Sequence, residues 1–174
     1  VTVSRRLFFA LWPDDASRRA LAAEAERLAP RCGGYPLPAE NMHITLAFLG
    51  SVDASRLKPL VELARAWPAL QGEWTLDRLG HFSQPRIVWA GSQTPNAALM
   101  TLDAELWQAL SRHGFTSPQR EFTPHVSLVR QADRAPPQSR LSAPLLWRFD
   151  HLALVESQLD DGGSRYRTLA RRPD

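Results

Sequence analysis

One four-residue pattern occurs twice in strand-like surroundings, as His43-Ile44-Thr45-Leu46 and as His125-Val126-Ser127-Leu128, 82 positions apart. Each copy closes the same series of elements. In the first half, Arg6-Leu7-Phe8-Phe9-Ala10-Leu11 reads as a short buried strand closed by Trp12-Pro13-Asp14-Asp15. A helix follows over about 15–29, with Leu21, Ala25 and Leu28 on one face. Gly33, Gly34, Pro36 and Pro38 stop it in a loop, and a motif strand follows over about 41–50, where Ile44, Leu46 and Phe48 alternate with smaller or polar residues. In the second half a strand over 86–91 leads to Thr94-Pro95, read as an N-cap followed by proline at the first helical position. Leu99, Leu102, Leu106 and Leu110 then stripe a helix that ends near Gly114, before a motif strand over 124–130.

Residues 6–49 therefore run parallel to residues 86–129, the mark of an internal duplication. Two repeats are too few for a solenoid. The expectation is the α+β class: a single bilobal domain over residues 1–174, with two pseudo-symmetric lobes of antiparallel sheet and helices facing each other across a central cleft, one motif in each. A helix over 55–66, with Pro59 in its first turn, and strands over 73–80, 148–156 and 165–170 fill the remainder. Ser83-Gln84-Pro85 reads as a turn, and 31–40 and 131–146 read as loops.

Composition excludes several classes. At 44% hydrophobic and 22% charged the chain is too apolar for intrinsic disorder, and no apolar run approaches the roughly 20 residues of a membrane span. With no leader-like opening, the expectation is a cytoplasmic protein. The single cysteine, Cys32, agrees with a reducing compartment and reads as a loop residue rather than a nucleophile, which would need an adjacent base. The net charge of +3 comes almost wholly from arginine, Lys58 being the one lysine. Arginine suits a phosphate-bearing partner, but G+C-rich codon usage is the better explanation of the bias, so the charge permits an anionic substrate without requiring one.

Alternation along a strand sends residues two apart to one side. His43 and Thr45 project together while Ile44 and Leu46 pack behind them, and His125 and Ser127 do likewise. Facing lobes would then bring two imidazoles and two hydroxyls to one cleft. That set suits in-line displacement at phosphorus: one ring accepts a proton from water, the other donates one to the departing oxygen, and the hydroxyls bind the non-bridging oxygens. A zinc site is not expected, because neither motif has a cysteine or carboxylate cluster at ligand spacing, and no glycine-rich phosphate loop is present. His81, His113 and His151 stand outside any motif and read as structural.

The chain resembles the 2H phosphoesterases, and among them the RNA 2′,3′-cyclic phosphodiesterases also called 2′-5′ RNA ligases. The resemblance rests on Arg6-Leu7-Phe8-Phe9-Ala10, on Glu40 through Gly50, on Phe122 through Arg130, and on Glu156-Ser157 and Ser164 through Leu169. It implies the bilobal α+β fold and cofactor-free, metal-independent opening of a 2′,3′-cyclic phosphate to a 2′-phosphate. It also implies His43 as proton donor, His125 as proton acceptor and Arg130 as a phosphate or ribose contact. Strand parity speaks against Arg130, which points away from His125 and Ser127 unless a bulge re-aims it. Tyr166 and Phe9 are candidates for stacking on a base, with core packing the favoured fate of Phe9. The expected partner is RNA with a cyclic phosphate end, or a cyclic nucleotide, bound by a monomer without membrane contact. Ligation by the reverse reaction and a non-catalytic nucleotide- or RNA-binding module are the alternatives.

Overall fold

The computed structural model describes residues 3–161 and 163–172. Strand β1 (Ser4–Leu11) leads into α1 (Asp15–Cys32), whose start is fixed by the Asp14 carboxylate accepting the Ser17 N–H at 2.7 Å. The helix runs one turn past the expected boundary, through Pro30, until Gly33 adopts a left-handed conformation at φ 72° and ends it. The predicted loop 31–40 then contains β2 (Tyr35–Pro36) and a short 3₁₀ turn (Ala39–Asn41). Next come β3 (Ile44–Asp53), α2 (Leu57–Ala66), β4 (Gly72–Phe82), β5 (Ile87–Gly91) and α3 (Ala97–Ser111). The cap of α3 is Asn96, not Thr94: its side-chain oxygen accepts the Leu99 N–H at 3.0 Å.

The chain finishes with β6 (Val126–Arg130), β7 (Arg140–Phe149), β8 (Ala153–Asp160) and β9 (Gly163–Arg171). The expected 131–146 loop and 148–156 strand are thus redistributed. Strand β7 begins at Arg140, and a break at 150–152 separates it from β8. Pro144 and a burial pattern that alternates poorly masked β7 in the sequence. Proline is tolerated there because β7 is an edge strand.

All pairings are antiparallel, in the order β7-β4-β5-β6-β3-β1-β8-β9, with β2 also beside β6. The order is symmetric about the β6–β3 seam: each half places its motif strand innermost and the strand preceding its long helix next. The seam register is Ile44 against Val126. Helices cover one face of the sheet. Helix α1, although it follows β1, packs behind β6 and β7 of the other half, where the Ser17 hydroxyl donates to the Leu146 carbonyl at 3.1 Å; α2 packs on β8 and β9, and α3 on β3. These crossings stitch the halves through one core, in which Leu21, Leu28, Ile44, Leu99, Leu106, Val126 and Leu128 are at most 1% exposed. Cross-strand partners Trp74 and Trp147 anchor the outer end of the second half, their rings 6.4 Å apart. Cys32 lies within this core, and burial pushes its thiol above the ordinary value, away from nucleophile chemistry. The opposite sheet face carries a smaller apolar cluster of Phe8, Ala10, Ala153 and Val155, edged by Trp12 and Tyr166.

Candidate active site

Both motif histidines stand one residue before their strands, His43 ahead of Ile44 and His125 ahead of Val126. Strands over 41–50 and 124–130, as the alternation predicts, would hold both inside the ladder. The difference matters, because a residue just outside a ladder has backbone neighbours free to bond its side chain. His43 Nδ1 lies 2.6 Å from the Asn41 carbonyl, and His125 Nδ1 lies 2.9 Å from the Thr123 carbonyl. A carbonyl only accepts, so each ring donates from Nδ1 and its neutral tautomer leaves Nε2 as the acceptor. In both motifs the acceptor is two residues earlier, and one backbone device fixes both tautomers.

Alternation survives at the seam. Thr45 and Ser127 share the open face with the histidines, while Ile44, Leu46, Val126 and Leu128 are buried on the helix face. His43 Nε2 lies 2.8 Å from Thr45 Oγ1. The antiparallel count from the Ile44–Val126 pair sets position 43 against 127 and position 45 against 125. Each imidazole therefore faces the other motif's hydroxyl position as well as its own.

Aromatic rings wall both histidines. Around His43 stand Phe8, Trp12 and Tyr166, with centroids at 5.0, 5.5 and 5.2 Å; around His125 stand Phe82 at 5.2 Å and Trp89 at 6.1 Å. Trp89 reaches its place by lying across Gly80, where an added Cβ would come within 2.1 Å of the indole. The wall of His43 is held by Trp12 Nε1 donating to Thr168 Oγ1 at 3.2 Å and by Asn41 Nδ2 donating to the Ser164 carbonyl at 2.9 Å, which ties the 3₁₀ turn to β9.

Of the aromatics weighed from sequence, Tyr166 meets His43, whereas Phe9 is fully buried in the core and its neighbour Phe8 faces the histidine. Bulges in the β1–β3 register, between Leu7 and Phe8 and between Phe9 and Ala10, set that parity, and no local pattern announces them. Phe82, Trp89 and Trp12 lie more than 30 positions from the motif they wall, so no local pattern marks them, and Asn41, two residues before His43, acts through its backbone carbonyl, which any residue type supplies, and through a side-chain bond to the distant Ser164. Arg130, at the end of β6, is exposed and stacks over Tyr35 with its guanidinium 5.6 Å from the ring centroid. The remaining histidines have local partners. His81 Nε2 is 3.2 Å from the Ala132 carbonyl, His151 Nδ1 is 2.7 Å from the Asp150 carboxylate, and the His113 carbonyl accepts from Arg56.

Desolvation by the aromatic walls is the largest influence on both rings. It lowers His43 from 6.5 to about 4, together with a smaller repulsion from His125 and against the opposing pull of the Asn41 carbonyl. His125 is lowered in the same way, with the Arg120 cation adding to the effect. Both imidazoles are thus neutral at pH 7, and an anion beside them would supply the charge that stabilises a protonated ring.

Linkage follows from this. Between pH 6.5 and about 4 the unfolded chain binds a proton at position 43 that the folded protein refuses, so stability is lost as pH falls through that window. Asp103 acts oppositely: burial raises its carboxyl to about 6, and the folded state gains a proton there first. The contribution of His43 is isolated by comparing wild type with His43→Gln in denaturant titrations at pH 7 and pH 4.5. Wild type is expected to lose about 1–3 kcal/mol more than the variant over that interval, and equal losses would contradict a desolvated His43.

Comparison with known proteins places this geometry in context. Residues 13–161 match the model of the 2′-5′ RNA ligase superfamily. The RNA 2′,3′-cyclic phosphodiesterase of Escherichia coli (strain K12) is 33% identical over 96% of this chain and 95% of its own length. That of Thermus thermophilus is 27% identical over 95% and 88%. Among solved structures, Escherichia coli LigT complexed with 3′-AMP superposes with a TM-score of 0.85 at 31% identity, covering 97% of each chain. A protein described as a phosphoesterase superposes with a TM-score of 0.86 at 32% identity, again over 97% of each.

Proposed function

The chain belongs to the 2′-5′ RNA ligase superfamily, within the 2H phosphoesterases, and from that premise we propose that it opens RNA 2′,3′-cyclic phosphate ends to 2′-phosphates by metal-independent acid–base catalysis between His43 and His125. The cyclic phosphodiesterase activity follows from the relatives. The mechanism is our reading of the site, and the observation that carries it is the pair of Nδ1-anchored imidazoles, each turning its Nε2 toward the open face, that of His43 beside Thr45 Oγ1 at 2.8 Å.

The neutral His125 Nε2 accepts a proton as water attacks phosphorus. The P–O3′ bond breaks, and protonated His43 delivers its Nε2 proton to O3′, leaving the phosphate on O2′. Thr45 and Ser127 donate to the non-bridging oxygens, where negative charge concentrates. The anionic substrate itself raises the low affinity of His43 for its proton, so the acid is charged when the phosphate is seated. Tyr166 walls the base side of the cleft, and Arg130 contributes at most a rim contact with phosphate or ribose. The symmetric strand order supports one bilobal domain descended from a doubled unit. No helix among the described residues is long and apolar enough to cross a membrane. A cytoplasmic monomer completes the proposal.

The test is a product assay on an RNA oligonucleotide ending in a 2′,3′-cyclic phosphate, in excess chelator. Full turnover with 2′-phosphate as product is expected. Activity lost to chelator and restored by a divalent ion would overturn the metal-independent mechanism, and a 3′-phosphate product would overturn the assignment of the leaving oxygen. The superfamily's name favours a second direction in the same site, with an RNA 5′-hydroxyl as the partner of the cyclic end in place of water.

A further inference from the structure

On the open face of the first half, the side chains continue in a line away from His43. Phe8, in ring contact with His43, is the cross-strand partner of Phe48 on β3. Cross-strand partners project to the same side, so Phe48 shares the open face. Unlike Phe8, which is 3% exposed, Phe48 is 50% exposed, and its ring carries the Arg6 guanidinium 4.7 Å from the centroid. Arg6 is two residues from Phe8 on β1 and therefore on the same face. It sits opposite Ser157 of β8, which in turn pairs with Tyr166 of β9. The next residue shows the contrast. Arg5, of opposite parity, is bound at 2.9 Å by the buried Glu156 carboxylate, whereas no carboxylate pairs with Arg6 among the described residues.

A half-exposed phenyl ring in mid-strand, roofed by an unneutralised guanidinium and continuous with the reacting site, is costly to keep in water and suited to one kind of occupant. Counted on the bulge-free β1 side, where Phe8 faces Phe48 and Leu11 faces Ile44, Phe48 stands four residues at about 3.3 Å each, roughly 13 Å, along the sheet from the row of His43. This exceeds the reach of a single nucleotide seated with its phosphate between the histidines. Building on the cyclic phosphodiesterase reading above, we infer that Phe48 and Arg6 form a subsite for the nucleotides on the 5′ side of the terminal one: a base stacks on Phe48 while Arg6 meets an internucleotide phosphate. Sequence-tolerant stacking with a basic partner is how single-stranded RNA is held without base readout. The RNA chain proposed as substrate is thereby given a path, outward from the histidines over the first half.

The experiment measures kcat/KM for a mononucleoside 2′,3′-cyclic phosphate and for di- and trinucleotides ending in the same cyclic phosphate. In the wild type, the trinucleotide is expected to exceed the mononucleotide by 10-fold or more, chiefly through KM. Phe48→Ala is expected to bring this ratio to within about 3-fold of unity, and Phe48→Trp to restore it. Arg6→Ala is expected to shrink both the ratio and its dependence on salt. Thermal melts confirm that each variant is folded. A ratio near one in wild type, or a ratio unchanged in Phe48→Ala, overturns the subsite while leaving the hydrolysis reading intact. Failure of wild type to turn over any of the three substrates overturns the hydrolysis reading itself, and the subsite with it.

Discussion

Replacing His125 by alanine is expected to lower kcat/KM for cyclic phosphate hydrolysis by about 10²–10⁴-fold, the usual worth of a positioned general acid or base. His43→Ala is expected to cost a similar amount. Because the rings act on opposite sides of one phosphorus in one step, the double variant should be little worse than either single one. Both side chains are partly exposed on the open face, so neither change opens a cavity in the main core, and melting temperatures should stay close to wild type. The roles separate through substrate chemistry. A cyclic substrate analogue with a better leaving group than O3′ needs no proton from the acid, so it should rescue His43→Ala and leave His125→Ala impaired. Activity within 10-fold of wild type in either single variant would sink the two-histidine mechanism, and rescue of His125→Ala instead would exchange the two assignments.

The hydroxyls carry the next largest effect. Thr45→Val and Ser127→Ala are each expected to reduce kcat by about 10²–10³-fold, the range found when one preorganised donor to a developing oxyanion is removed. Thr45→Val preserves shape and loses only the oxygen, which lies 2.8 Å from His43 Nε2, so it also removes the polar partner of that nitrogen. Ser127→Thr keeps the hydroxyl and adds the rotamer stiffness of a β-branched side chain, so it should hold wild-type activity or improve on it. The split between kcat and KM decides the interpretation. A loss confined to KM would make these hydroxyls uniform binding groups and remove them from the catalytic step.

Much of the molecule was legible before any coordinates. The apolar stripe Leu99, Leu102, Leu106 and Leu110 is buried as its spacing requires, and the doubled series of strand, helix and motif strand maps onto a sheet whose order is symmetric about β3 and β6. What misled was local chemistry with more than one solution. Thr94-Pro95 offers a cap, but Asn96 takes it; Pro144 suggests a loop, but an edge strand tolerates it. The exchange of helices between halves, with α1 behind β6 and β7, leaves no trace in periodicity, because an amphipathic stripe records that a helix is buried and not against what.

The twin motif by itself determined which side chains share a face, since alternation is a property of the extended backbone and needs no partner. It thereby named His43, Thr45, His125 and Ser127 together. Only the tertiary structure decided the protonation chemistry. The Nδ1 bonds exist because each histidine falls one residue short of its strand, and the depressed proton affinity exists because Phe8, Trp12 and Tyr166 on one side, and Phe82 and Trp89 on the other, arrive from β1, the turn after it, β9, β4 and β5. Desolvation sums over whatever packs nearby in space, and such neighbours, 31 to 123 positions away for His43, are invisible to any local pattern.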